Sequence, residues 1–208
     1  GIGMRVGGER WVGALTYTGR ATNDAEVFDT QSAVVGRLGG LVATSADYNV
    51  HLGANGTYVL HTPDQSASTG LRYPVRFRDR PELRVDSTRL IDTGTIDAAH
   101  AHAVGAEFAA NWKNLQLQAE NYWFGIERRS SPLPDPRFGG WYVEASWVLT
   151  GERRRYVPAA AAYQGPRPRL PFDGRGAWGA WELGLRYSHT DLNYGEGAAG
   201  TAAATSRA

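Results

Sequence analysis

Residues 141–149 read WYVEASWVL, and residues 181–188 read WELGLRYS. In both stretches every second residue is apolar or aromatic, which places these side chains on one face of an extended strand. The same period of two runs through residues 48–55 and 115–120, and in weaker form through 8–19, 31–43 and 100–112. The alanine-rich stretch 158–162 is too short for a stable helix and begins with a proline. The sequence therefore predicts an all-β protein of about seven long antiparallel strands.

Aromatic residues bracket the apolar face of three predicted strands. The two members of each pair are six residues apart, and small or aliphatic residues lie between them on that face: Trp11 and Tyr17, Trp141 and Trp147, Trp181 and Tyr187. Six residues of strand span about 20 Å, close to the roughly 25 Å apolar band between the aromatic girdles of outer-membrane β-barrels. This spacing favours strands that cross a membrane over the strands of a soluble sandwich.

The connections between the predicted strands differ greatly in length. Residues 44–46 and 113–114 form tight turns, whereas residues 62–99 and 152–178 form long segments. Pro74 and Pro81 argue against a central strand within 62–99. With 62–99 as one loop, both tight turns fall at the same end of the strands, and 152–178 becomes a long basic connection at that end. The four prolines of 152–178 favour an extended, irregular path that folds under or into a pore, rather than a hairpin.

Positive and negative charges balance over the whole chain, but the arginines are concentrated in two segments. The chain has 22 Lys+Arg against 21 Asp+Glu and no cysteine, which argues against a nucleic-acid-binding protein, a disulfide scaffold or a cysteine-ligated metal. Twelve of its 21 arginines lie in 62–99 and 152–178. Within residues 72–84 the arginines share one parity, opposite Val75 and Phe77, so an extended segment presents a row of guanidinium groups. Because guanidinium matches phosphate geometry, this row indicates an anion path. The alternative is a solvated loop, since 62–99 also contains six acidic residues.

Other chemistries have weaker support. A set of glutamates on the polar sides of successive strands can be interpreted as glycosidase carboxylates or as a polar pore wall: Glu107, Glu120, Glu144 and Glu182. His100 and His102 lie two residues apart on one strand with no third ligand near, which argues against a metal site. The phosphate-binding motif GxxxxGK[ST] is absent. We therefore expect a protein that is not an enzyme, without catalytic residues, cofactor or metal.

Four stretches in order resemble the phosphate-selective porin (O and P) family of Gram-negative outer membranes. They are LRYPVRFRDRPELR (71–84), LIDTGTIDAAHAHAVGAE (90–107), GGWYVEASWVLTGERRRY (139–156) and GAWGAWELGLRYSHTDLNY (176–194). The resemblance implies a mid-to-C-terminal part of a trimeric, sixteen-stranded transmembrane β-barrel that passes phosphate or pyrophosphate. It also implies that 62–99 is an in-folded outer loop.

The same resemblance implies roles for six arginines and a set of partners. Arg76, Arg78, Arg80 and Arg84 would be rungs of an arginine ladder, and Arg167 and Arg169 would replace lysines lower in the pore. The expected partners are small anions, outer-membrane lipid and two further copies of the protein. Seven strands leave open edges, so we expect a curved open sheet. Two alternatives stay open: a structural outer-membrane barrel without transport, and a soluble β-sandwich that binds carbohydrate.

Overall fold

A computed structural model describes residues 1–19, 31–62, 74–80, 87–89 and 91–194. These residues form thirteen strands and one short 3-10 turn, Pro158–Ala160. Among the residues described, no helix is long and apolar enough to cross a membrane. The strands are β1 Ile2–Gly7, β2 Trp11–Thr18, β3 Ser32–Thr44, β4 Tyr48–His61, β5 Pro74–Val75, β6 Arg78–Asp79, β7 Ile91–Asp92, β8 Ile96–Trp112, β9 Leu115–Arg128, β10 Arg137–Val148, β11 Arg154–Val157, β12 Ala162–Pro166 and β13 Glu182–Asp191.

The eight longer strands make one antiparallel sheet in the order β1-β2-β3-β4-β8-β9-β10-β13. The all-β, antiparallel prediction is confirmed. The sheet contains one long strand more than predicted: the glycine-flanked β1 pairs with β2. β1 was not predicted because it carries too few residues for a clear period. Within the described ranges no ladder joins β1 to β13, so the sheet is open.

The predicted order of connections agrees with the pairing of the central strands. β4 pairs directly with β8 through twelve residue pairs, and no other described strand lies between them. The two tight turns lie side by side, with the amide of Lys113 donating to the carbonyl of Asp47 at 2.8 Å. One boundary differs from the prediction: β8 begins at Ile96, so residues 96–99 are strand. The start of β8 also pairs with the two-residue β5.

The expectation that 152–178 avoids a hairpin is wrong. β11 and β12 pair antiparallel across the 3-10 turn. The prolines are compatible with this pairing because Pro158 lies in the turn and Pro166 is the last residue of β12. At these positions proline removes no internal ladder hydrogen bond. We call Arg154–Pro166 the basic hairpin.

The main sheet has two contrasting faces. The apolar face carries the predicted aromatic pairs and the aliphatic residues between them, and it is exposed: Trp147 is 49% exposed and Leu185 is 78% exposed. The polar face carries Arg37, Glu107 and Ser146, and Ser146 is only 7% exposed. No second sheet covers the apolar face among the residues described, as a soluble sandwich would require.

At the end where β8 begins, the polar face of the sheet carries apolar side chains instead. A buried cluster there consists of Ile96, Ala98, Ala101, Ile126, Phe138 and Leu192. Phe77 packs against it, with ring centroids 5.6 Å from Phe124 and 5.8 Å from Phe138. Val75, Ile91 and Tyr194 pack against the same cluster. Burial of these side chains therefore holds the residues around Phe77 on the polar face of the sheet.

Candidate functional site

Two segments lie on the polar face and carry most of the arginines of interest. The Phe77 segment, residues 74–80 and 91–93, lies at the end where β8 begins. The basic hairpin approaches from the end with the tight turns, since β10 ends beside Asn114 and the hairpin follows β10. The two ends of β8 are about 50 Å apart along the strand. The predicted anion-binding residues thus form two separate groups.

Arg76 is bound to a carboxylate. Its Nε donates to Oδ1 of Asp92 at 2.7 Å and its Nη2 donates to Oδ2 of the same residue. The guanidinium of Arg76 lowers the pKa of the Asp92 carboxyl, and a hydrogen bond from the amide of Gly94 lowers it further. This two-point contact joins the two strands of the Phe77 segment. The fork of Arg76 is therefore already occupied by a carboxylate.

The next arginines of the predicted row are placed differently. Arg78 lies opposite Asp92 in the β6–β7 ladder and is exposed. It has no ion-pair partner among the described residues and is the guanidinium of this segment best placed to meet an anion. Arg80 is half-buried, and its Nε has no hydrogen-bond partner in the described part of the chain. Arg84 lies outside the described residues.

The predicted lower pair lies just beyond the basic hairpin. Arg167 and Arg169 are both exposed. The backbone amide of Arg169 donates to Oε1 of Glu152 at 3.1 Å, and its Nη2 donates to the carbonyl of Gly151 at 3.3 Å. Hydrogen bonds from Thr150 and from the Arg169 amide lower the pKa of the Glu152 carboxyl. Arg169 is therefore attached to the turn after β10, whereas Arg167 extends into open space.

The tip of the basic hairpin is bound to the sheet by Arg37, which lies near the middle of β3. Its Nη1 donates to the carbonyl of Ala160 at 2.9 Å and its Nη2 to the carbonyl of Ala161 at 2.8 Å. The same guanidinium donates from Nε and Nη2 to the carboxylate of Glu107 on β8, at 2.9 and 2.7 Å. Nδ2 of Asn55 donates to Oε1 of the same carboxylate at 2.8 Å. Arg37 therefore connects two strands of the sheet to the hairpin.

Further contacts attach the sides of the hairpin. The hydroxyl of Tyr156 lies 2.9 Å from Nδ1 of His51, a buried residue of β4. The hydroxyl of Tyr163 donates to Oδ1 of Asn49 at 2.5 Å. Burial raises the pKa of the Tyr163 hydroxyl to about 12. Both tyrosines therefore stay protonated at neutral pH and keep these contacts.

Glycine at position 53 makes room for this cluster. A Cβ built there would lie 2.8 Å from Oε2 of Glu107 and 3.1 Å from Nε2 of His51. Both distances are shorter than ordinary contacts, so a side chain at this position would displace the carboxylate. The cluster of Arg37, His51, Asn55 and Glu107 therefore requires a glycine at position 53 of β4.

The four glutamates on the polar sides of the strands do not converge on one open site. Glu107 binds Arg37, and Glu120 accepts a hydrogen bond from Tyr122 at 2.5 Å. Glu144 lies 3.5 Å from Nη1 of Arg186, and Glu182 lies 2.5 Å from Nε of Arg154. Each carboxylate has a different partner along the sheet. This arrangement resembles a polar wall more than the facing carboxylates of a glycosidase.

Arg37 was not predicted as a functional residue, although the sequence around it carries a signal. Arg37 is the one charged residue of a strand otherwise built of small and apolar residues, GRLGG. An isolated charge on such a strand indicates a specific partner, because an unpaired buried charge is unfavourable. The partner could not be identified, since Arg37 and Glu107 are 70 residues apart.

Two comparisons with known proteins bear on this geometry. The model of the family "Phosphate-selective porin O and P" matches residues 1–206. An uncharacterized protein of Caulobacter vibrioides is 32% identical over 144 residues, which are 69% of this chain and 27% of that protein. The chain thus spans about a quarter of the length of this relative. The porin match agrees with an antiparallel sheet that has one exposed apolar face and one polar face, and it removes the soluble carbohydrate-binding sandwich. The chain belongs to the phosphate-selective porin O and P family.

Proposed function

We propose that this chain forms part of the wall and lumen of an outer-membrane porin that conducts small anions, phosphate or pyrophosphate, through the Gram-negative outer membrane. The observation that carries the proposal is the asymmetry of the sheet. One face exposes bracketed aromatic and aliphatic side chains that suit lipid. The other face holds polar side chains and two arginine-bearing segments. Such a sheet separates hydrocarbon from an aqueous, basic path.

The arginines suit conduction better than tight binding. Arg78 near one end and Arg155, Arg167 and Arg169 near the other are exposed, so each can form charge-assisted hydrogen bonds with an anion and remain hydrated. A series of anion sites of moderate affinity allows an anion to enter the channel and to leave it. The glutamates along the wall are paired with hydrogen-bond or ion-pair donors, so they repel a passing anion less than free carboxylates would.

The remaining features of the assembly are part of the same proposal. β1 and β13 each leave one edge unpaired within the described ranges, and exposed edges of long strands require partners. Further strands of a sixteen-stranded barrel would provide them, and the barrel would assemble as a homotrimer in outer-membrane lipid. In this arrangement the segment 62–99, whose last residues begin β8, is the in-folded outer loop, as the contacts of Phe77 support.

Planar-bilayer recordings on the full-length porin test the anion path. With phosphate titrated against chloride, Arg78→Ala should weaken phosphate block of the chloride current by roughly tenfold or more, because a charge-assisted hydrogen bond contributes about 1.5–3 kcal/mol. Arg78→Lys should recover part of the effect, since it restores charge without the fork. Arg10→Ala, an exposed arginine in the turn between β1 and β2, is the matched control. A correctly inserted protein without conductance would instead support the structural barrel without transport.

A further inference from the structure

We infer that Arg37 is a positioning residue that holds the basic hairpin across the polar face, and that this docking sets the width of the channel at the hairpin tip. The inference rests on the proposed channel function, and it assigns pore width and anion affinity to different arginines. Arg37 would act through the hairpin and would not bind the permeating anion itself.

The contacts of Arg37 show why it is suited to this role. Its guanidinium donates to Glu107 from two nitrogens and to the hairpin from two, so its fork faces protein groups. Glu107 also neutralises its charge. An anion passing the tip would therefore compete with a partly buried carboxylate that is already bound. Exposed Arg155, whose Nη2 donates to Gln164 within the hairpin, is better placed to meet the anion.

The attachment of the hairpin depends on few contacts. In the described part of the chain, β11 and β12 pair only with each other, so no backbone ladder joins them to the sheet. The tip is the part farthest from the chain connections. Its carbonyls at Ala160 and Ala161 are bound by Arg37, and Ala161 is fully buried. A backbone carbonyl buried without a donor is unfavourable, so loss of Arg37 favours release of the tip into water.

The position of the tip makes its release relevant to conduction. Arg37 lies about halfway along β3, and its partner Glu107 lies well inside β8. The docked tip therefore lies within the length of the strands and away from both mouths of the predicted barrel. A hairpin at that depth occupies part of the lumen, and its departure would widen the lumen.

Polymer exclusion in planar bilayers measures this width. In the full-length porin, Arg37→Ala should increase single-channel conductance in potassium chloride and shift the cut-off to polyethylene glycols that the wild type excludes. Arg10→Ala, at an exposed arginine outside both arginine-bearing segments, is the matched control, and it should leave the polymer cut-off unchanged. If Arg37→Ala fails to fold because Glu107 is left unpaired, the double variant Arg37→Met with Glu107→Gln removes both charges and should show the same wider cut-off.

A disulfide provides the decisive rescue. A Cβ at position 39 would lie 3.5 Å from Cβ of Ala161, within the distance range that disulfides span, and the chain has no cysteine. The same Cβ would lie 3.0 Å from Cε1 of His51, so the imidazole must shift by a few tenths of an ångström to accept it. Gly39→Cys with Ala161→Cys, oxidised with diamide, should cross-link the native protein and leave its conductance and cut-off unchanged. Added to Arg37→Ala, the same pair should restore the wild-type cut-off when oxidised and lose it again on reduction.

The outcomes separate the two proposals. A wild-type porin without conductance would overturn the proposed function together with this inference. A conducting wild type in which Arg37→Ala keeps the wild-type cut-off would overturn the inference alone. Failure of the two thiols to cross-link in the native background would also overturn it, because the tip would then not be docked beside β3.

Discussion

The two segments on the polar face are held by different forces. The Phe77 segment is held by apolar burial: Phe77 contacts two aromatic rings, and Ile91 packs on the same cluster. The basic hairpin is held by hydrogen bonds: Arg37 of the sheet donates to the tip, Tyr156 is hydrogen-bonded to His51, and Tyr163 donates to Asn49. Apolar attachment leaves Arg78 of the first segment exposed, whereas polar attachment uses Arg37 as a structural contact. An arginine on the lumen side is therefore not by itself an anion site.

The two kinds of attachment also predict different responses of the segments to mutation, pH and salt. Apolar burial does not depend on protonation and tolerates salt, but it is sensitive to loss of volume. A hydrogen-bonded attachment depends on individual donors and acceptors, and each contributes about 1 kcal/mol net. Spin labels at Ser87→Cys, which lies along the chain between the two parts of the Phe77 segment, and at Ala159→Cys in the basic hairpin report the mobility of the two segments. Both positions are exposed, and the chain has no other thiol.

The largest effect is expected for Phe77→Ala. Removing the ring should destabilise the Phe77 segment by about 3 kcal/mol, at the lower end for a phenylalanine truncation because Phe77 is only half-buried. The label at Ser87→Cys should become mobile and the label at Ala159→Cys should not. Phe172→Ala, at a phenylalanine that is 71% exposed, is the control. Equal mobility of both labels would contradict separate attachment.

Glu107→Ala should have the next largest effect, on the basic hairpin. Breaking a buried ion pair costs about 3–5 kcal/mol, and we expect about 2–3 kcal/mol here because the side chain of Arg37 is 35% exposed. Urea unfolding in lipid vesicles measures the loss, with exposed Glu9→Ala as the control. Mobility should increase at Ala159→Cys. Mobilisation of the label at Ser87→Cys alone would be evidence against this assignment.

Tyr163→Phe should have a smaller effect in the same direction. It removes the hydroxyl that donates to Asn49 and leaves the ring in place, so the expected loss is about 1 kcal/mol. The same urea titration applies. Tyr17→Phe changes an exposed tyrosine of the apolar face and should leave the midpoint unchanged. A loss as large as that of Glu107→Ala would mean that Tyr163 is the main attachment.

The smallest effect concerns pH and the Phe77 segment. Because Arg76 lowers the pKa of the Asp92 carboxyl, this pair stabilises the segment above the ordinary aspartate pKa of about 4. The contribution is lost as pH falls through the lowered value. The label at Ser87→Cys should gain slight mobility as pH falls below about 4, and Asp92→Asn should remove the pH dependence. Apolar burial is the main attachment of the Phe77 segment. Complete release of this segment in acid would therefore contradict the contrast between apolar and polar attachment.

The sequence predicted the faces of the sheet well and its internal contacts poorly. Alternation placed Trp147 and Ser146 on opposite faces, and the structure confirms this because Trp147 is exposed and Ser146 is buried. The row of arginines was less informative, since parity cannot show that Asp92 binds Arg76. The hairpin was not predicted because its prolines argue against paired strands, whereas Pro158 lies in the turn and Pro166 at the end of β12, where pairing tolerates them.

The residues by themselves determined the all-β class, the strand positions and the two faces, because a period of two is a local property that each strand carries alone. The order of connections also followed from loop lengths and proline positions. Only the tertiary structure decided which arginines bind carboxylates and which stay exposed. Arg37 meets Glu107 only when β3, β4 and β8 are in register, and register depends on pairing between strands that are distant along the chain. Local patterns do not encode contacts between strands that are distant along the chain. Those contacts decide whether a guanidinium is a structural contact or an anion site.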